Sequence, residues 1–229
     1  MSTAPQPGKF ITFEGLDGSG KSTQLEKLAQ ALRLRRIDLV TTREPGGTVI
    51  GERIRALLLD SRTRGLANHT ELAMMVASRA QLVGEIILPE LRAGRWVLCD
   101  RFVDSTEAYQ GAGRQLGIET VRQLHRLLCR DLWPDLTILM DTDFIASVQR
   151  ARLRNRFGGP GHDENRFERE SQEFFSRVHQ SFLEIARREP QRMVVIDARP
   201  PIEVVHDEIM RVVIERLITS EQTSRQAQV

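Results

Sequence analysis

The chain has 229 residues, 40% of them hydrophobic and 28% charged, which suits one large α/β domain with a full core. Its 33 Lys and Arg against 31 Asp and Glu exclude a global field for nucleic acid or an anionic membrane, so any anion-binding field must be local. No apolar run reaches the roughly eighteen residues of a membrane span, and the start of the chain is polar and contains prolines, so a cytoplasmic protein without membrane or nucleic-acid partners is expected. Short β-branched runs alternate with stretches of helical spacing, the pattern of βαβ units and a five-stranded parallel sheet flanked by helices. The runs are Phe10 to Glu14, Leu39 to Thr42, Trp96 to Cys99, Leu136 to Met140 and Met193 to Ile196. Between and after them, helices are predicted around Leu25 to Leu32, Ile54 to Leu58, Leu72 to Leu91, Leu124 to Leu128, Phe174 to Ile185 and Val204 to Ile218. A single domain over 1–229 follows, with frayed tails at about 1–8 and 220–229 and a mobile loop, rich in glycine, around Asn155 to Asn165. Cys99 and Cys129 form no CxxC pair and are expected as small buried residues.

The strongest signal is Gly15-Leu-Asp-Gly-Ser-Gly-Lys-Ser22, which fits the phosphate-loop pattern G-x-x-x-x-G-K-S/T between a predicted strand and a predicted helix. Gly15, Gly18 and Gly20 let backbone N–H groups wrap phosphate oxygens where a Cβ would clash, and the helix start faces the anion. Leu16, Asp17, Ser19 and Thr23 complete the segment expected to hold ATP, with Lys21 on the β and γ phosphates and the Ser22 hydroxyl on Mg²⁺. A phosphate cradle alone leaves many classes open. No guanine-reading N-K-x-D occurs, and one compact domain leaves no room for a lever or a second nucleotide-binding half. A small kinase has to build a second phosphate pocket beside the first, and cations stand where that pocket would form. Thr42-Arg-Glu-Pro-Gly-Gly-Thr48 follows the second strand, Arg79 lies in the long helix, and Asp100-Arg101 closes the third strand. Arg150, Arg152, Arg154 and Arg156 enter the glycine-rich loop without an acid among them, which reads as a lid over ATP, about 150–167.

FEGLDGSGKST, TREPGGT, DRFVDSTEAYQGAGR and an arginine-rich lid followed by NRFERES, in this order, resemble the bacterial thymidylate kinase family from about Phe10 to Ile218. The resemblance implies a phosphate-loop NTPase fold with a mobile lid, Mg²⁺, a homodimer through the long helices, and transfer of a phosphoryl group from ATP to dTMP. It implies that Arg79 and Arg101 hold the dTMP phosphate, with Arg43, Glu44 and Pro45 nearby. Asp17 would sit between the acceptor sugar and the metal shell, with Asp100 beside the metal. Tyr109 would lie against the sugar and disfavour a 2′-hydroxyl, Ser105, Thr106 and Gln110 would line the nucleoside, and Val76 would face the base. With Gly18 in the loop and a basic lid, the chain is similar to members whose catalytic arginine lies in the lid. The matching residue is Arg154, helped by Arg150 and Arg152, and such a group is worth ~10³ to 10⁵ in rate by analogy with arginine fingers.

Met75 and Val76 stand where the family commonly carries an aromatic residue, the lid is longer around Phe157 to Asp163, and Asn165 replaces an Asp. Two rival readings therefore stay open: a kinase for another nucleoside monophosphate, and a nucleotide-binding protein whose catalysis has decayed. His69, His125, His162, His179 and His206 are scattered and read as surface or packing residues, because an acceptor phosphate ionised at neutral pH needs no general base.

Overall fold

All five β-branched runs fold as strands: β1 (Phe10–Glu14), β2 (Leu39–Arg43), β3 (Trp96–Asp100), β4 (Leu136–Asp141) and β5 (Met193–Asp197). In this computed structural model residues 8–143, 147, 166–167 and 170–219 are described. The lid arginines Arg150, Arg152, Arg154 and Arg156, the Phe157 to Asp163 stretch and Asn165 lie outside them. The last four strands each run one residue beyond the apolar pattern, onto Arg43, Asp100, Asp141 and Asp197. Those residues stay in the ladder, with Arg43 opposite Asp100 and Asp141 opposite Asp197, because pairing needs only the backbone. Every pairing is parallel and the order is β2-β3-β1-β4-β5. β1 is therefore central, and the chain passes to one side of it first and to the other afterwards, which makes its carboxyl end the place where an open sheet binds ligands.

The described helices are α1 (Lys21–Leu34), α2 (Val49–Leu59), α3 (Asn68–Arg92), α4 (Val103–Thr106, continuing in wider π turns over Glu107–Gly113), α5 (Ile118–Leu128), α6 (Gln172–Arg188) and α7 (Ile202–Val213, continuing over Ile214–Thr219). Alternation along β1 splits the core in two, since both faces of a parallel sheet are covered. Ile11 and Phe13 pack with Leu25, Leu28 and Leu32 of α1 and Ile209 and Val213 of α7. Phe10 turns to the other face, against Leu72, Val76 and Leu82 of α3 and Phe102.

Two features of the helices have physical causes. α3 continues through Pro89 to Arg92, in line with the apolar spacing to Leu91, because a π turn at Val83–Ile87 already interrupts the ladder where proline lacks a donor. Its length and composition would suit a membrane span, yet Leu72, Val76, Leu82 and Ile87 are buried. The helix α4 shows no separate apolar stripe, since Asp104, Ser105, Thr106, Glu107 and Gln110 are buried along with Val103, Ala108 and Tyr109. The N–H of Gly8 donates to Leu91 O at 2.8 Å. At the other end, the last helical turns reach Thr219. Cys99 and Cys129 are free and buried, as expected.

Leu28 is fully buried between the sheet and α7. Leu28→Ala is expected to lower unfolding free energy by about 2–5 kcal/mol, read as a shifted urea midpoint with unchanged slope.

Candidate active site

The phosphate loop follows the central strand, and its backbone explains its glycines. Gly15 has φ 130°, and a Cβ there would lie 2.6 Å from Met140 O; Gly18 and Gly20 have φ 80° and 93°. No side chain caps α1, so its first N–H groups are left for an anion at the positive end of the helix. Lys21 folds back across the loop, with Nζ donating to Gly15 O at 3.1 Å and Leu16 O at 2.8 Å. Burial, reinforced by the Arg101 charge and opposed by Asp100, Asp17 and Glu14, lowers its ammonium pKa to about 8. Ser22 Oγ donates to Asp100 Oδ2 at 2.6 Å, which brings a hydroxyl and a carboxylate together at the start of α1. Asp17, the third expected metal residue, lies elsewhere: its Oδ1 accepts from Arg101 Nη2 at 2.8 Å.

Beside the loop lies a cavity to which six segments of the chain contribute, four of them carrying the residues expected from the sequence. Asp17 comes from the phosphate loop, Glu44 and Pro45 from the turn after β2, and Arg79 and Met75 from α3. The segment after β3 supplies Arg101, Ser105, Thr106, Tyr109 and Gln110. Arg79 and Arg101 thus reach the same cavity on different supports. Arg101 Nη1 donates to Gly15 O and Ser105 Oγ, both at 2.9 Å. Arg79 Nε donates to Glu44 Oε2 at 2.8 Å, and Nη2 donates to Thr106 Oγ1 at 2.6 Å and Phe102 O at 3.2 Å. Burial raises the Glu44 pKa to about 7 against the pull of Arg79. The Arg79 charge is thereby compensated within the wall, whereas Arg101 faces the phosphate loop.

Arg101 adopts φ 71°, a left-handed backbone that a side chain other than glycine pays for. The surroundings fix it there. Its N–H donates to Phe13 O at 2.9 Å, the next N–H (Phe102) to Glu14 Oε1 at 2.7 Å, and Ser105 Oγ to Glu14 Oε2 at 2.5 Å. Glu14 is fully buried, and desolvation, with the nearby Asp104, raises its pKa to about 8. Tyr109 lies under the Arg101 guanidinium, 5.2 Å from centroid to Cζ, and meets the rings of Phe167, Phe174 and Phe182 edge-on.

Two expected residues fall outside the cavity. Val76 is 1% exposed in the core with Phe10 and Phe102, because one step along a helix turns a side chain by about 100°, and its neighbour Met75 takes the cavity side. Arg43 is half exposed and pairs with Glu52 at 3.0 Å. Sequence reasoning missed Arg55, Leu59 and Phe167, which line the cavity. Nothing in the spacing separates Arg55 from Arg53 on α2. Phe167 carried a signal, being the lone aromatic in the polar run Asn165 to Ser171, but was assigned to the lid. It is instead docked: Arg166 N–H donates to Leu59 O at 3.2 Å, and the Arg166 guanidinium lies 4.5 Å from the Phe167 centroid. Among the histidines, His125 is buried, with Nε2 2.7 Å from Leu132 O, and desolvation lowers its pKa to about 4, a packing role.

A phosphate loop on the central strand, with a neighbouring pocket holding its own arginines, defines a small-molecule kinase of the nucleoside-monophosphate type. Residues 13–209 match the family described as thymidylate kinase. The chain is 50% identical over 197 residues to a thymidylate kinase of Desulfovibrio desulfuricans, covering 86% of this chain and 91% of that one. It is 44% identical to the thymidylate kinase of Pseudomonas putida, covering 90% and 98%. The crystal structure of thymidylate kinase from Ehrlichia chaffeensis superposes with a TM-score of 0.73 at 35% identity, covering 90% of this chain and all of that one. The chain belongs to the thymidylate kinase family.

The lowered pKa of Lys21 sets a sign for ATP binding. Bound phosphates favour the ammonium and raise its pKa, so at or above about pH 8 binding takes up a proton, and affinity falls by up to about tenfold per pH unit. Calorimetry of ATP binding at pH 8.5, in buffers of differing ionisation enthalpy, should show this uptake and lose it in Lys21→Met.

Proposed function

We propose that the chain transfers the γ-phosphoryl group of ATP to dTMP, giving dTDP and ADP, by direct in-line displacement. The observation that carries this reading is the single cavity in which Asp17 of the phosphate loop meets Arg101, Arg79 and Tyr109. An oxygen of the acceptor phosphate attacks the γ phosphorus as the bond to the β–γ bridging oxygen breaks, and ADP leaves with that electron pair. No protein nucleophile or general base is needed, so positioning and charge neutralisation supply the catalysis.

Lys21, the free α1 N–H groups and Gly15 to Thr23 bind the ATP phosphates. Arg101 holds the acceptor phosphate, since it is buried, charged and already tied to the phosphate loop. Arg79, compensated by Glu44, contributes directed hydrogen bonding more than net charge. Tyr109, clamped by three phenyl rings, presents a rigid face to the sugar and rejects a 2′-hydroxyl sterically. Met75 and Phe167 supply the apolar contact for the base. Arg154, with Arg150 and Arg152, neutralises the transferring group.

The Ser22–Asp100 pair fits Mg²⁺, a hard cation that takes one or two protein oxygens and completes its shell from phosphate and water. Bound there, Mg²⁺ would neutralise charge on the β and γ oxygens. Val49 and Leu57, more than half exposed on α2, support a homodimer through the α2 and α3 faces. Near-neutral charge and the burial of the apolar side of α3 support a cytoplasmic enzyme without membrane or nucleic-acid partners.

With Mg²⁺ and ATP, ADP release should depend on dTMP and exceed that with CMP or AMP; a better response to either of those would overturn the assignment. Arg101→Ala should lower kcat/KM for dTMP by ~10² to 10³. Arg154→Ala should cut turnover by ~10³ or more with a smaller change in ATP affinity, and unchanged turnover would remove Arg154 from the mechanism.

A further inference from the structure

Gln110 lies in the wall of the acceptor cavity, with Nε2 2.9 Å from Glu71 Oε1. Glu71 is fully buried on α3, one turn from Met75 and two from Arg79. Arg114 reaches both of its oxygens at 3.1 Å, and Arg166 Nη2 lies 2.7 Å from Oε2. Burial by itself would push the Glu71 carboxyl up. The bonds from Arg114 and Gln110 and the charges of Arg114 and Arg166 outweigh it and hold the group below its ordinary value. An ionised carboxylate only accepts hydrogen bonds, so the Gln110 amide has to turn its nitrogen toward Glu71. That leaves Oε1, to which no described residue donates, as the acceptor the amide can offer the cavity.

We propose that Glu71 is a positioning residue for base selection: it locks the Gln110 amide so that the cavity offers an acceptor to a base carrying a ring N–H. The inference rests on the reading that this cavity takes a pyrimidine monophosphate. Thymine and uracil carry a hydrogen on N3 and satisfy that acceptor. Cytosine has a lone pair there and would leave two acceptors facing each other, a mismatch that a desolvated site rejects strongly.

The test is kcat/KM for dTMP, dUMP and dCMP with the wild type, Glu71→Gln and Glu71→Asp. The glutamine variant can donate to Gln110 Oε1 and so frees the amide to turn. The aspartate variant keeps the charge for Arg114 and Arg166 while withdrawing the carboxylate from Gln110, and serves if the glutamine variant does not fold. In either, the dTMP to dCMP ratio should fall at least about tenfold, chiefly through KM. The dTMP to dUMP ratio should hold within about twofold, because both bases carry the same N–H. In a Gln110→Leu background, Glu71→Gln should move the dTMP to dCMP ratio no further. An equal loss on all three nucleotides, or a further shift in that background, would overturn the proposal. A wild type inactive on dTMP would instead defeat the function assigned above.

Discussion

Everything in the site depends on the tie between the end of β3 and the phosphate loop. Arg101 donates to Gly15 O and to Asp17, so one buried guanidinium joins the phosphate loop to the segment after β3. The sheet sets the span of that tie, since β1 and β3 pair in parallel with Phe13 opposite Asp100, and the two loops leave adjacent strands at the same height. Burial opposes the charge on Arg101, but Tyr109, Asp17, Asp100 and Glu14 hold its pKa above the ordinary arginine value, so it stays cationic at any working pH. A cation fixed in this way would cost no reorganisation in meeting an anion, which is the condition for electrostatic catalysis.

Around it the protein buries several glutamate side chains, and each has its own partners. Glu14 accepts from Phe102 N–H and Ser105, Glu44 pairs with Arg79, and Glu71 is held by Arg114, Arg166 and Gln110. Such pairs contribute little net stability, because desolvation offsets much of the Coulomb gain. Their effect is orientation. Each fixes a group that lines the cavity, and a half-satisfied network would leave that group free to turn. Arg114 extends the same logic by pairing with Glu170 and lying over the Phe174 ring, which ties α6 to the acceptor side.

The polar interior also explains which parts of the chain could be read in one dimension. The five strands and most helices announce themselves by apolar period, because their buried faces are hydrocarbon. α4 does not, since Asp104, Ser105, Thr106, Glu107 and Gln110 are buried on it beside Val103, Ala108 and Tyr109, so burial there follows no apolar period. Period analysis assumes that inside means apolar, and that assumption fails at an active site. Its residues were found through the motif Asp100 to Arg114, which reports chemistry rather than packing. Val76 shows the opposite limit. Proximity to Arg79 along the chain suggested the cavity, but helical rotation gave that place to Met75.

The amino-acid sequence by itself determined the α/β class, the phosphate loop, the family, and most of the side chains that reach the cavity, because glycine placement and local motifs act over a few residues. Only the tertiary structure decided the order β2-β3-β1-β4-β5, the pairing of Asp17 with Arg101 and of Ser22 with Asp100, the entry of Arg55 and Phe167, and the grip of Glu71 on Gln110. Those contacts join residues far apart in the chain, such as Ile11 and Leu136, and their geometry follows from strand register and helix packing, which no local pattern encodes.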